Sequence, residues 1–304
     1  MKLSKQTREI INMVIFVLVA ALLFVTYVIY PLNRTKAVMG RDNVDDYYED
    51  SLEINDPAAW IDSGLIADSF TVEADGLTTL ACLYVLPDSA VHDSILGTVF
   101  FLHHDNADRD SMLSLARQMS TAGYSVVAYD QRAAGRSTGQ YHGEGQYEAT
   151  DLEEVIRWLD LRKKIHHPLA IVGFGLGGDA AILVAREDAR IDKVMAVNPY
   201  LTSERMLRML KDRHDTYWFP FYYTMMWWWY GIRSGYAAPY REIEAVEAVA
   251  CQTLLLTGSE SGDDPEVVIL QELSSDELLK VESATLSGQE SSVADRVWTF
   301  VTRE

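Results

Sequence analysis

The sequence predicts an α/β protein. It should have a mostly parallel sheet with helices on both faces, an inserted aromatic-rich helical cap and an N-terminal transmembrane helix. Three observations predict this. Short apolar runs alternate with helix-period segments from about residue 68 onward, the pattern of strands joined by helical crossovers. The runs over 96–103 and 124–130 are almost continuously apolar, as strands covered on both faces are. The run from Ala170 to Asp179 reads as a buried strand that breaks into a glycine-rich turn and then a helix.

Residues 1–9 form a short basic N-terminus, and residues 10–30 carry no charge over 21 positions. A helix of that length spans about 31 Å, close to the hydrocarbon thickness of a bilayer. Tyr27 and Tyr30 suit the interface. The apolar stretch is long for a cleaved signal peptide, and no small-x-small site follows it directly. Membrane lipid is therefore the expected partner of residues 10–30. The short basic N-terminus favours a single-pass anchor with the following domain on the extracytoplasmic side. Residues 31–67 then read as an acidic juxtamembrane spacer. Seven acids and no base lie between Asp42 and Asp56, a solvated stretch repelled from anionic headgroups.

The remaining residues, 68–304, read as one domain. Phe70–Val72 and Thr79–Val85 should pair as a hairpin around Ala74-Asp75-Gly76. Leu96–His103, Tyr124–Asp130, Leu169–Gly173, Lys193–Val197, Thr253–Thr257 and Lys280–Leu286 read as strands. Ser111–Ala122, Leu176–Arg186 and Ser291–Val301 read as helices. So does Glu148–Leu161, where Leu152, Val155, Ile156 and Leu159 recur at helical spacing. The stretch at about 200–241 interrupts the alternation and reads as the cap. Its segment Tyr217–Tyr230 holds ten aromatics in fourteen residues. That composition suits the packed underside of a cap, the lining of an apolar pocket, or a patch touching the bilayer.

Composition narrows the function classes. A formal net charge of -19 argues against nucleic-acid binding, which needs clustered Lys and Arg. Cys82 and Cys251 lie beside strand-like runs and read as free thiols rather than a disulfide. No C-x-x-C pair is present, and His166-His167 reads as solvent-facing. No metal and no cofactor are expected.

Three motifs, in order, carry a family resemblance. Phe100-Phe-Leu-His-His104 is similar to a strand ending beside an oxyanion hole. Gly123-Tyr-Ser-Val-Val-Ala-Tyr-Asp-Gln-Arg-Ala-Ala-Gly-Arg-Ser137 matches a G-Y-x-V-x-x-x-D-x-R-G-x-G-x-S signature closely. Gly173-Phe-Gly-Leu-Gly177 is similar to a nucleophile elbow, G-x-S-x-G. Together they resemble the α/β-hydrolase superfamily, in particular its S9-peptidase-like and esterase-like members, from about Phe70 to the end.

The resemblance implies a Ser–acid–His triad in that chain order, and this sequence departs from it at each position. The serine position is Gly175. The acid region holds Glu260, Ser261 and Asp263. The base region is near Gln289, and no histidine follows His214. A catalytic triad is therefore not expected. The candidate binding residues are His103, His104, Leu176 and Gly177, for a small acyl or carboxylate ligand, with a protein partner as a further role. The expected function is a membrane-anchored pseudoenzyme that binds or scaffolds. The alternative is an active esterase or peptidase with relocated catalytic residues. A third reading is a membrane-surface structural protein whose pocket its own aromatics fill. Gly175→Ser alone is expected not to create activity, because the base is missing too.

Overall fold

A computed structural model describes residues 4–33, 65, 67–88, 91–105, 107–143, 145–203, 205–206, 224–225, 228–229, 231–232, 243–257, 269, 278–283 and 290–303. Eight strands form one sheet in the order β1-β2-β4-β3-β5-β6-β7-β8. They are β1 (Ala67–Asp75), β2 (Thr78–Val85), β3 (Gly97–Leu102), β4 (Tyr124–Tyr129), β5 (Leu169–Phe174), β6 (Lys193–Val197), β7 (Gln252–Thr257) and β8 (Leu279–Ser283). β1 and β2 form the expected hairpin, and β2 meets β4 antiparallel. Every pairing from β4 through β8 is parallel. The mostly parallel sheet read from the sequence is the one observed.

Among the described residues the α-helices are α1 (Lys5–Phe24), which buries no side chain, and α2 (Leu113–Thr121), α3 (Gln146–Asp160), α4 (Leu176–Glu187), α5 (Ile243–Val246) and α6 (Glu290–Thr302), which accompany the sheet. They divide the core in two. On one face Leu152, Val155, Ile156 and Leu159 of α3 and Ala180 and Val184 of α4 pack with Phe100, Leu102 and Ile171. On the other, Leu113 and Met119 of α2 and Val297 and Val301 of α6 pack with Val99, Phe101, Val126 and Val172. Alternate residues of β3 thus feed opposite cores, which is why its sequence is apolar throughout. Each fully buried large aliphatic or aromatic side chain contributes about 1.5–3 kcal/mol. The closing helix is fixed at its end by Lys193, whose Nζ donates to the carbonyls of Phe300, Val301 and Arg303. A cation there complements the helix dipole.

α1 continues through a π-helical turn, Val25–Ile29, to Asn33. This is one helix long and apolar enough to cross a membrane, and none of its most apolar window is buried. Ser4 caps its start, accepting from the Thr7 amide at 3.1 Å. Cys82 and Cys251 are free. β2, which carries Cys82, stands five strand positions from β7, next to Cys251, about 24 Å away at ordinary strand spacing. No disulfide can bridge that gap. The acidic spacer and most of the cap, including all but four residues of Tyr217–Tyr230, lie outside the described residues. Within the described part of that aromatic segment, Trp228 and Trp229 meet edge to face at 5.0 Å.

Candidate functional site

The C-terminal ends of β3, β5 and β6 lie side by side, and the residues that follow each strand meet there. The connection after β5 is the elbow. Gly175 follows the strand directly and caps α4 with φ 50° and ψ -119°. Side chains rarely adopt that backbone region, and glycine adopts it at little cost. Its N–H donates to the Val197 carbonyl at 2.9 Å, and its own carbonyl accepts from Gly178 at 2.9 Å. Gly173 and Gly177 let the strand and the helix start approach closely. A Cβ at Gly173 would collide with the Gly177 carbonyl, and one at Gly177 would lie 2.7 Å from the Leu102 Cβ. The elbow geometry is present without its serine.

The two histidines after β3 have different roles. His103 is fully buried. Its Nδ1 contacts the His104 carbonyl at 2.7 Å, and its Nε2 accepts from the Gln131 amide at 2.8 Å. The Gln131 side chain donates to the His103 carbonyl as well. Burial pushes the His103 pKa down against the pull of Asp130, so the ring stays neutral and can accept at Nε2. Both ring nitrogens are committed to holding β3 beside β4. As a candidate ligand-binding group, His103 therefore has no ring edge left to offer.

His104 faces the elbow. A Cβ built on Gly175 would collide with the His104 Cδ2 and would lie 2.6 Å from its Nε2. The imidazole therefore stands in the space of a serine side chain. Its Nδ1 lies against Oδ1 of Asp105, outside hydrogen-bond geometry. Oδ1 of Asp105 also accepts from the Tyr200 hydroxyl at 2.8 Å. The Tyr200 ring meets the His104 ring edge to face at 5.9 Å. Tyr200 is held in turn by Asp179 of α4, whose carboxylate accepts from the amides of Tyr200 at 3.1 Å and Leu201 at 2.9 Å. A chain of contacts thus runs from α4 through Tyr200 and Asp105 to His104, and returns to the elbow where α4 begins. The His104 side chain is 16% exposed.

The signature loop after β4 is a bracket. Asp130 accepts from the amides of Arg109 and Arg136, each at 2.9 Å. Its carbonyl accepts from the Ser137 hydroxyl, which itself accepts from the Ala81 amide at 2.9 Å. Arg132 grips Asp151 of α3 with two hydrogen bonds, 2.7 Å from Nε and 2.5 Å from Nη2. Its guanidinium also lies 4.6 Å from the centre of the Tyr147 ring. Glu148 is fully buried and accepts from the amides of Gly143 and Gly145 at 2.8 and 2.9 Å. Burial pushes its pKa up, but His142, Arg132 and the Gly143 amide outweigh that, and the carboxyl ends below its ordinary 4.5.

Glu260, Ser261, Asp263 and Gln289 lie outside the described residues, as does His214. His167 sits on the surface and contacts Asp192 at 2.7 Å. Among the described residues no cluster of His, Cys, Asp and Glu could hold a metal ion. Asp105 and Tyr200 were not foreseen. An acid directly after His104 was the only local signal for the first, and nothing in the sequence tied Tyr200 to it.

Residues 93–258, just over half of the chain, match the family described as serine aminopeptidase, S33. The chain belongs to that family of α/β hydrolases. The superfamily expected from the motifs is the one found, with S33 as the matching group within it. Three solved structures show the same fold. An esterase of Pyrococcus furiosus is 18% identical, with 80% of this chain and 93% of that chain covered and a TM-score of 0.63. A probable hydrolytic enzyme of Pseudomonas aeruginosa is 15% identical over 78% of this chain and 94% of that one, with a TM-score of 0.55. An α/β hydrolase of Penicillium is 16% identical over 79% and 98%, with a TM-score of 0.53. No curated protein matches the sequence.

Proposed function

We propose that this α/β hydrolase is a membrane-anchored pseudoenzyme that binds or scaffolds rather than cutting bonds through a serine. One observation carries the reading: the elbow presents Gly175, and the His104 ring fills the space of the absent side chain. Acyl-serine chemistry needs a hydroxyl at that point. The start of α4 still offers the amides of Leu176 and Gly177, where a carbonyl or carboxylate oxygen is favoured. A small acyl or carboxylate group is the proposed ligand, and the esterase neighbour makes an acyl group the natural choice. Residues 10–30 hold the protein in lipid, with the domain on the extracytoplasmic side, where it can also receive a protein partner.

A fluorophosphonate probe tests the reading on the purified full-length protein. No serine is expected to be labelled, and a mapped serine adduct overturns the proposal. Calorimetry with short carboxylates and esters should detect binding that Gly177→Leu abolishes.

A second reading, an active hydrolase with relocated catalytic groups, is favoured by one observation. The Asp105 carboxylate, which accepts from the Tyr200 hydroxyl, lies against the His104 ring at the elbow itself.

A further inference from the structure

We propose that His104 Nε2 takes the place of the missing serine as a nucleophile toward activated acyl compounds such as aryl esters and thioesters. This deepens the relocated-group reading and rests on it. Three features of the geometry support it. Nε2 lies 2.6 Å from the Cβ position of residue 175, inside the space of a serine side chain. Nδ1 lies against the acceptor-only carboxylate of Asp105, so the tautomer that carries its proton on Nδ1 is the one that leaves a lone pair on Nε2. Asp105 is itself held by Tyr200, and Tyr200 by Asp179, so the ring direction is fixed before any substrate arrives.

The ring is set apart from the other described histidines near this sheet edge. The nitrogens of His103 are both engaged, and His142 lies beside Glu148 at 3.7 Å. A free imidazole is a competent acyl acceptor when the leaving group is good, and histidine is an established covalent catalyst.

The Nε2 lone pair forms a bond to the carbonyl carbon, and the carbonyl π electrons move to its oxygen beside the start of α4. Collapse of this intermediate breaks the bond to the phenolate or thiolate. The acylated ring loses its Nδ1 proton through Asp105, and that proton neutralises the leaving group. Water then adds to the acyl-imidazole, returns a proton to the ring and releases the carboxylic acid. No co-reactant other than water is required. Glycine at 175 is what the arrangement needs, because any Cβ there would displace the ring.

The test uses the full-length protein in detergent with p-nitrophenyl acetate. The expected result is a burst of p-nitrophenolate close to one equivalent, with an acetyl adduct that maps to His104 and is released by hydroxylamine. His104→Gln should remove both. Asp105→Asn, which keeps the nucleophile, should slow the burst about a hundredfold. Gly175→Ala keeps the whole pair but moves the ring, and should also suppress the burst. Circular dichroism of each variant separates loss of the group from loss of the fold. Acetyl spread evenly over several histidines, or a burst that persists in His104→Gln, overturns the proposal. Calorimetric binding of esters with no burst overturns it while leaving the binding reading intact. Absence of both binding and burst overturns both.

Discussion

The signature loop after β4 and the elbow after β5 sit one strand apart from β3, yet they treat polar side chains in opposite ways. In the loop, the charged and hydroxyl groups of Asp130, Arg132 and Ser137 have structural partners. Asp130 satisfies two backbone amides, Ser137 joins the loop to β2, and Arg132 is locked onto Asp151. At the elbow the backbone is kept but the side chain is gone, and a histidine from the neighbouring strand end occupies its space. The difference separates two demands. Buried polar groups that hold the chain are costly to remove, because each loss leaves a partner unsatisfied. A nucleophile on a strained turn contributes chemistry rather than stability, so glycine there eases the backbone.

That contrast can be broken by mutation. The largest effect is expected at the loop. Asp151→Ala leaves the buried Arg132 guanidinium with the half-exposed Asp75 carboxylate at 3.4 Å in place of two close hydrogen bonds and should destabilise the domain by about 3 kcal/mol, read by denaturant unfolding. Asp130→Ala strands the amides of Arg109 and Arg136 and should cost about 1–3 kcal/mol for each group left unsatisfied.

At the elbow, Gly175→Ser should cost about 1–3 kcal/mol for the positive φ, with a further penalty for moving His104. It is also expected to create no esterase activity, because the serine would displace His104, the imidazole that faces it. Robust turnover by that variant would mean that the displaced His104 had become its base, and the contrast would need redrawing.

A smaller effect concerns pH. The Glu148 carboxyl lies below 4.5 in the folded protein, so the folded state binds protons less readily there than the unfolded chain. Its contribution is fully present above about pH 4.5 and is lost as the pH falls through the lower folded value. Glu148→Gln should therefore flatten the acid limb of a stability profile relative to the parent, a difference that isolates this group from other carboxyls. The smallest stability effect is expected for His104→Gln. Its ring is partly exposed and Nε2 serves no structural bond among the described residues, so unfolding should shift by less than about 1 kcal/mol. A loss as large as that of Asp151→Ala would make His104 part of the bracket and erase the distinction.

The fold was readable because its signals are local. Apolar runs over 96–103 and 124–130 set buried parallel strands, and the spacing of Leu152, Val155, Ile156 and Leu159 set the face of α3. Boundaries moved by a few residues where capping and close packing decided them. A 3₁₀ turn at Arg109–Met112 takes up the start of the helix expected from Ser111. α3 opens two residues earlier than its periodicity suggested, because Glu148 reaches back to cap it.

The site was only half readable. Gly175 could be recognised as an elbow without a serine, since strand, turn and helix follow one another in the chain. The sequence could not separate the two histidines, because their roles depend on which strand lies alongside. Gln131 from β4's end commits the first, and the space over β5 accepts the second.

The sequence by itself therefore determined a hydrolase scaffold, a membrane-length helix and the absence of the serine. These follow from periodicity, length and residue identity, which are properties of contiguous chain. Only the tertiary structure decided what stands where the serine would be. His104, Asp105, Gly175 and Tyr200 come from three connections spread over nearly a hundred residues, and parallel strand order alone brings those connections to one edge.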